Sequence, residues 1–141
     1  MPHISLNSEA AKREFFISPL LLELLDYISV DIDVEYPLNV HEQLKGNIDY
    51  VVSSSKAFII LEAKNADMEK GFTQLAVELI AMDICLEDDE ENFIYGAITT
   101  GDVWRFGVLD RSGKTISKDI DAFVIPPDLE KLFSVFFGIL N

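Results

Sequence analysis

Cysteine is nearly absent from this chain, which has only Cys85 among its 141 residues. One cysteine excludes an intramolecular disulfide, and the apolar helical pattern around Cys85 predicts a small core side chain. No apolar stretch is long enough to span a membrane. The sequence also does not start with a basic segment followed by an apolar one, as a secretory signal would. We therefore expect no membrane partner and a location in a reducing cytoplasm.

Basic residues are scarce as well. Lysine and arginine number 11 against 25 acidic residues, which gives a net charge of −14. Proteins that bind phosphates usually present a basic surface, so this charge disfavours strong autonomous binding of nucleic acid. Part of the acidity is local, in the run 87–91, which we predict to be a solvated loop between a helix and a strand. The run lacks the spacing of a calcium-binding loop. His3 and His41 have no partner at the spacing of a metal site.

Apolar residues, in contrast, are plentiful. The hydrophobic fraction is 49% and the aromatic fraction 11%, which excludes a disordered chain. A chain of this length can bury a sizeable core. No internal repeat or low-complexity linker divides it, so we predict a single domain over residues 1–141.

The periodicity of the apolar residues alternates between helix and strand. The chain predicts a helix, three strands, a second helix, two or more strands and a final helix. The helices are expected at about 8–27, 68–86 and 129–140, and the strands at 32–38, 48–52, 58–63, 93–99 and 103–109. This order predicts the α/β class, with a mixed sheet flanked by helices.

Two prolines and the C-terminal segment leave local alternatives open. Pro19 could begin a separate helix with Ser18 as its cap, or kink a longer helix. The strand at 32–38 is expected to end at a bend near Pro37. The segment 129–140 is rich in apolar residues and is either a core helix or a dimer interface.

Three charged residues stand at the ends of two apolar strands. Side chains alternate along a strand, so Glu62 and Lys64 project from one face and Ala63 from the other. If the two strands pair antiparallel, Asp49 comes close to Glu62. Two converging carboxylates repel each other unless a cation or a proton lies between them, and Mg²⁺ prefers oxygen ligands. The alternative is an exposed Glu62–Lys64 pair with Asp49 as an ordinary strand end.

Gln74 adds a polar group from the following helix. Lys70, Gln74 and Glu78 share a helix face at four-residue spacing. A helix packed on the sheet could direct Gln74 to the same site as the carboxylates. The alternative is a solvent-exposed glutamine.

These residues, taken in order, resemble the PD-(D/E)xK nuclease superfamily. The similarity is greatest to the N-terminal nuclease domain of type I restriction endonuclease R subunits and to its standalone relatives. Ile48 stands where the name of the motif has proline. The similar segments keep the order of the family along the chain: 8–21, 34–38, 48–52, 61–64, 71–75 and 95–106.

The resemblance implies a restriction-endonuclease-like core and a nuclease that hydrolyses phosphodiester bonds in DNA with Mg²⁺ or Mn²⁺. By the same resemblance, Asp49 and Glu62 would ligate the metal, Lys64 would orient and help to deprotonate the attacking water, and Gln74 would position Lys64 or the phosphate.

The family also has an early glutamate, which would correspond to Glu9 and would complete the metal site. Glu14 and Glu23 lie on the same predicted helix, and either could face the site instead. Glu9 could also be an ordinary first-turn acid that pairs with Arg13.

Two functions therefore remain open. The first is a metal-dependent endonuclease that cuts DNA. The second is a catalytically silent module with the same fold, which would need a protein partner to engage nucleic acid. The net charge of −14 motivates the second, because an acidic surface lowers the affinity for DNA. A homodimer is compatible with either.

Overall fold

A computed structural model of the chain describes residues 17–41, 44–54, 57–63, 68–86 and 92–141. Within these ranges the strands form one six-stranded sheet. The helices and strands, in chain order, are α1 Ser18–Leu25, β1 Asp31–His41, β2 Leu44–Ser53, β3 Phe58–Ala63, α2 Met68–Cys85, β4 Phe93–Thr99, β5 Val103–Asp110, β6 Thr115–Val124 and α3 Leu129–Leu140.

The six strands lie in the sheet in the order in which they occur in the chain. β3 pairs with β4 in parallel, and the other four pairings are antiparallel. The sheet therefore consists of two antiparallel meanders, β1–β3 and β4–β6. The α2 crossover joins them, as a parallel pairing requires. The predicted mixed sheet with flanking helices is confirmed.

The helices cover the two faces of the sheet. α1 and α3 pack on one face, where Leu24, Trp104 and Phe136 are all fully buried. The rings of Trp104 and Phe136 meet edge to face, with 5.9 Å between their centroids. α2 covers the other face, where Ile60 and Leu75 belong to a second buried cluster. The C-terminal helix is thus a core helix of this chain.

Some details of the predicted elements differ from the structure. β1 continues through Pro37, which is paired with Asn47; a proline is tolerated there because β1 is an edge strand. α1 has Ile17 at its cap position, and Ser18 is already its first residue. The prediction that Cys85 is a core side chain is wrong: Cys85 is exposed, as is its neighbour Ile84, because both lie on the side of the last turn of α2 that faces away from the core.

The loop prediction for residues 87–91 falls outside the described residues. Among the helices of the described part of the chain, none combines the length and the hydropathy that a membrane span needs.

Gly96 lets α2 lie close to the sheet, and its substitution tests that contact. A Cβ at Gly96 would stand 2.8 Å from Cδ1 of Leu75. We expect Gly96→Ala to destabilise the protein by about 1–3 kcal/mol in urea unfolding, because the buried leucine must move. Gly138→Ala on α3 is the control, since nothing lies within 4 Å of its Cβ position. Equal stabilities of the two variants would contradict the close contact.

Asp83 connects α2 to the turn between β5 and β6. Its Oδ1 accepts a hydrogen bond of 2.7 Å from Arg111 Nε, and its Oδ2 accepts one of 2.7 Å from Lys114 Nζ. Arg111 Nη2 also donates to the carbonyl oxygen of Leu86 at 3.4 Å. Burial opposes ionisation of Asp83, but the hydrogen bonds from Lys114 and Arg111 outweigh it and hold the pKa of Asp83 below its ordinary value.

We expect Asp83→Asn to lose about 1–3 kcal/mol of stability at neutral pH, because hydrogen bonds to a charged group are lost. A lowered pKa contributes stability above the unfolded value of 3.8, and this contribution disappears as the pH falls through the lower folded value. The stability difference between wild type and variant should therefore shrink towards acid pH. Thermal melts from neutral to acid pH measure it, and a difference that does not vary with pH would contradict the role of the charge.

Candidate functional site

Asp49 and Glu62 meet at the point where β2 and β3 leave their regular pairing. The last register pair before them is Tyr50 with Leu61. Beyond it, each carboxylate accepts a hydrogen bond from the opposite backbone. The Asp49 N–H donates to Glu62 Oε1 at 3.3 Å, and the Ala63 N–H donates to Asp49 Oδ2 at 2.9 Å. The two side chains therefore lie together on the sheet face that α2 covers.

Gln74 of α2 reaches the same site. Its Nε2 donates to Glu62 Oε2 at 3.4 Å and to Glu78 Oε1 at 3.2 Å. The helix packed on the sheet thus directs Gln74 to the carboxylates, as the four-residue spacing indicated. Gln74 is nevertheless solvent-exposed, as the alternative predicted.

Glu78 is the residue that sequence reasoning missed as a member of the site. Its exposed fraction is 7%, and that of Glu62 is 1%. Buried acids are rare unless they are paired. The sequence did carry a signal for Glu78. It lies one turn after Gln74, on the same polar strip of a helix whose side towards the sheet is otherwise apolar.

The surroundings of Glu62 favour its protonated form. Burial, the hydrogen bond and charge of Glu78, and the charge of Asp49 together raise the pKa of Glu62 from 4.5 to about 10. The hydrogen bond from the Asp49 backbone opposes this rise only in part. A carboxylate cluster of this kind is stable with a proton in it, or with a cation in place of the proton.

Of the remaining predicted site residues, the structure describes only Glu23. Lys64, Glu9 and Glu14 lie outside the described ranges. Glu23 is exposed on α1, and α1 packs on the opposite face of the sheet from α2. Glu23 is therefore not the glutamate that completes this site.

The backbone beside the site is strained at one position. Glu35 of β1 has a φ angle of 54°, in the left-handed region that residues with a Cβ enter at a cost of about 1–2 kcal/mol. Its neighbours in β1 pair with the neighbours of Asp49 in β2, so Glu35 stands across from Asp49. Backbone strain concentrates at functional sites, and here it lies next to the strand position that presents Asp49.

The donor set fits a hard divalent cation. Asp49 and Glu62 supply carboxylate oxygens, and Mg²⁺ is commonly held by one or two carboxylates and several waters. No group of three or more histidine, cysteine, aspartate or glutamate side chains within the described ranges has the geometry of a metal site. Among the described residues, the Asp49–Glu62 pair would supply the ligands of such a cation, with water completing its coordination.

Comparison of the chain with protein-family models, with curated proteins and with solved structures found no match. The resemblance to the PD-(D/E)xK superfamily therefore stays a prediction.

Proposed function

We propose that this protein is a metal-dependent nuclease that hydrolyses phosphodiester bonds in DNA, built on a restriction-endonuclease-like core. The observation that carries the proposal is the pairing of the half-buried Asp49 with the buried Glu62, each of which accepts a hydrogen bond from the opposite backbone. A buried glutamate that is costly to ionise without a cation is a poor choice for stability alone. It is well suited to hold a divalent ion where β2 and β3 separate.

Asp49 and Glu62 would hold Mg²⁺ or Mn²⁺. The bound ion would polarise a phosphoryl oxygen and lower the pKa of a water molecule. Gln74 acts through Glu62, because the hydrogen bond from its Nε2 fixes the orientation of that carboxylate. Partners of metal ligands commonly have this orienting role.

Lys64 would act on the attacking water. It is two residues after Glu62 in the sequence, and an ammonium group beside the cation would stabilise the hydroxide as it forms. In the hydrolysis, the water oxygen bonds to phosphorus and the bond from phosphorus to the leaving sugar oxygen breaks. One proton of the water is released, and the leaving oxygen takes up a proton.

Purified protein with Mg²⁺ or Mn²⁺ tests the proposal. We expect it to cut plasmid DNA, and we expect a chelator to stop the cutting. The Lys64→Ala variant should fold, as judged by circular dichroism, and should not cut, whereas Lys131→Ala on α3 should cut as wild type does. Cutting that survives in Lys64→Ala would indicate a contaminating nuclease and would remove the assignment.

The acidic charge favours a second candidate. With 25 acidic residues against 11 basic ones, the surface slows encounter with DNA. The fold would then serve as a silent binding module that engages nucleic acid only with a basic protein partner. Calorimetry separates the candidates: heat of Mg²⁺ binding that disappears in Asp49→Asn supports the nuclease, and the absence of any metal binding supports the module.

A further inference from the structure

Arg105 lies on the same side of the sheet as the candidate metal site. In the register of the sheet, Glu62 stands beside Ile98, and Ile98 stands beside Arg105. Residues in one such row project to the same face, and two strand spacings amount to about 10 Å. Arg105 and Glu62 therefore both project to the face that α2 covers, on β5 and β3.

The guanidinium of Arg105 is held in place without a carboxylate. Its Nη2 donates to the carbonyl oxygen of Asp119 at 3.0 Å, and its Cζ lies 5.0 Å from the centre of the Phe72 ring. Its Nε is buried, and no described residue accepts a hydrogen bond from it. Within the described ranges the ion pairs do not include Arg105.

This arrangement is unusual in a chain with more than twice as many acids as bases. The contrast with Arg111 is direct, because Arg111 is paired with Asp83 at 2.7 Å. Taking a guanidinium out of water without an anionic partner costs free energy. A site whose anionic ligand is not part of the chain would leave its guanidinium without a carboxylate in this way.

A second cation stands beside Arg105. Lys118 Nζ lies 4.9 Å from the centre of the same Phe72 ring. Its carboxylate contact is with Glu69 at 3.7 Å, and both of these side chains are exposed, so that pair is weak and easily exchanged. Arg105 and Lys118 thus present two positive charges around one aromatic ring at the start of α2.

We propose that Arg105, with Lys118 beside it, binds a backbone phosphate of the nucleic acid that flanks the phosphate at Asp49 and Glu62. The proposal rests on the proposed function, because the phosphate at Arg105 would be a neighbour of the phosphate held at Asp49 and Glu62. A guanidinium is suited to phosphate, since its planar fork donates two parallel hydrogen bonds.

The test is DNA binding by the full chain in Ca²⁺, with a short fluorescein-labelled duplex as the probe and matched single-stranded DNA and RNA as further probes. Arg105→Met removes one positive charge, and so does Lys131→Met on α3, where Lys131 is exposed. We expect Arg105→Met to bind the duplex about tenfold more weakly. The slope of log affinity against log salt should fall by about 0.9 for the duplex, or by about 0.7 for a single strand. Lys131→Met should match wild type in both quantities.

Arg105→Lys serves as a second variant, because it keeps the charge and loses the planar fork. We expect it to keep the salt slope of wild type and to bind more weakly. If Arg105→Met does not fold, Arg105→Lys decides: an affinity equal to that of wild type overturns the proposal, and a weakened one supports it.

The failure of this inference differs from the failure of the nuclease proposal. If wild type binds DNA and Arg105→Met binds no more weakly than Lys131→Met, the phosphate site is wrong, whether or not the protein cuts. If wild type binds none of the three nucleic acids, the phosphate site is also wrong. If binding depends on Arg105 but no divalent ion supports cutting, the phosphate site stands and the nuclease proposal fails.

Discussion

Replacing Asp49 by asparagine is expected to reduce DNA cleavage by more than a hundredfold while leaving the fold intact. Changes to the partners of metal ligands cost about 10–100-fold, and Asp49 would be a ligand itself. The asparagine side chain keeps an oxygen that can accept the hydrogen bond which the Ala63 backbone now donates to Asp49 Oδ2. The measurement is the initial rate of plasmid nicking in saturating Mg²⁺, with thermal melting as the check on folding.

Asp33→Asn is a matched control for this prediction. Asp33 is exposed on β1 and the substitution removes the same charge, so its nicking rate should equal that of wild type. Gln74→Ala should lie between the two, at about a 10–100-fold loss, because Gln74 orients Glu62. An Asp49→Asn variant that nicks DNA as fast as Asp33→Asn would contradict the metal site.

Replacing Glu62 by glutamine is expected to stabilise the fold and to abolish cation binding at the same time. The surroundings of Glu62 raise its pKa from 4.5 to about 10. The unfolded chain therefore releases its proton at a lower pH than the folded chain, and the stability of wild type declines as the pH rises through this range. The glutamine side chain does not ionise and escapes this penalty.

The size and the pH dependence of this gain are both testable. A tenfold change in an ionisation constant corresponds to about 1.4 kcal/mol, and we expect Glu62→Gln to gain at least that amount at pH 8 in urea unfolding without metal. The gain should vanish near pH 4, where Glu62 is protonated in the folded state and largely protonated in the unfolded chain. The exposed Glu130→Gln on α3 should show no such gain. A Glu62→Gln variant that is less stable than wild type at pH 8 would contradict the raised pKa of Glu62.

Mg²⁺ should stabilise wild type and leave the stability of Glu62→Gln unchanged. A ligand that binds only the folded state raises the free energy of unfolding, so wild type should melt at a higher temperature in Mg²⁺. Glu62→Gln should melt at the same temperature with and without Mg²⁺. The more stable protein would thus be the inactive one, as is common where a site is built at the expense of the fold.

Local patterns in the sequence predicted β3 at its observed bounds, whereas β2, predicted at 48–52, runs from Leu44 to Ser53. β4 and α3 begin and end where the alternation and the helical spacing predicted them. The contact of Asp49 with Glu62 follows from the antiparallel pairing of two neighbouring strands. Pro37 was misjudged because its effect depends on whether a strand lies at the edge of the sheet, and the strand order is a tertiary property.

The residues that were missed depend on contacts between distant elements. Glu78 is one turn from Gln74 on α2, but its burial against Glu62 is decided by the way α2 crosses the sheet. Arg105 joins the same face only because β4 places Ile98 between it and Glu62. The spacing from Gln74 places Glu78 on the same helix face but does not show its burial, and no local spacing marks Arg105 as a phosphate site.

The division of the sheet into two meanders has a consequence for folding. Within each meander the strands pair with their chain neighbours, and such local pairings form early. The β3–β4 pairing must close the long α2 crossover, and loop closure adds an entropic cost. Asp49, Glu62 and Gln74 all belong to the first part of the chain, whereas Arg105 belongs to the second. The carboxylates can therefore meet before the sheet is complete, while Arg105 comes to the same sheet face only after the two meanders have docked.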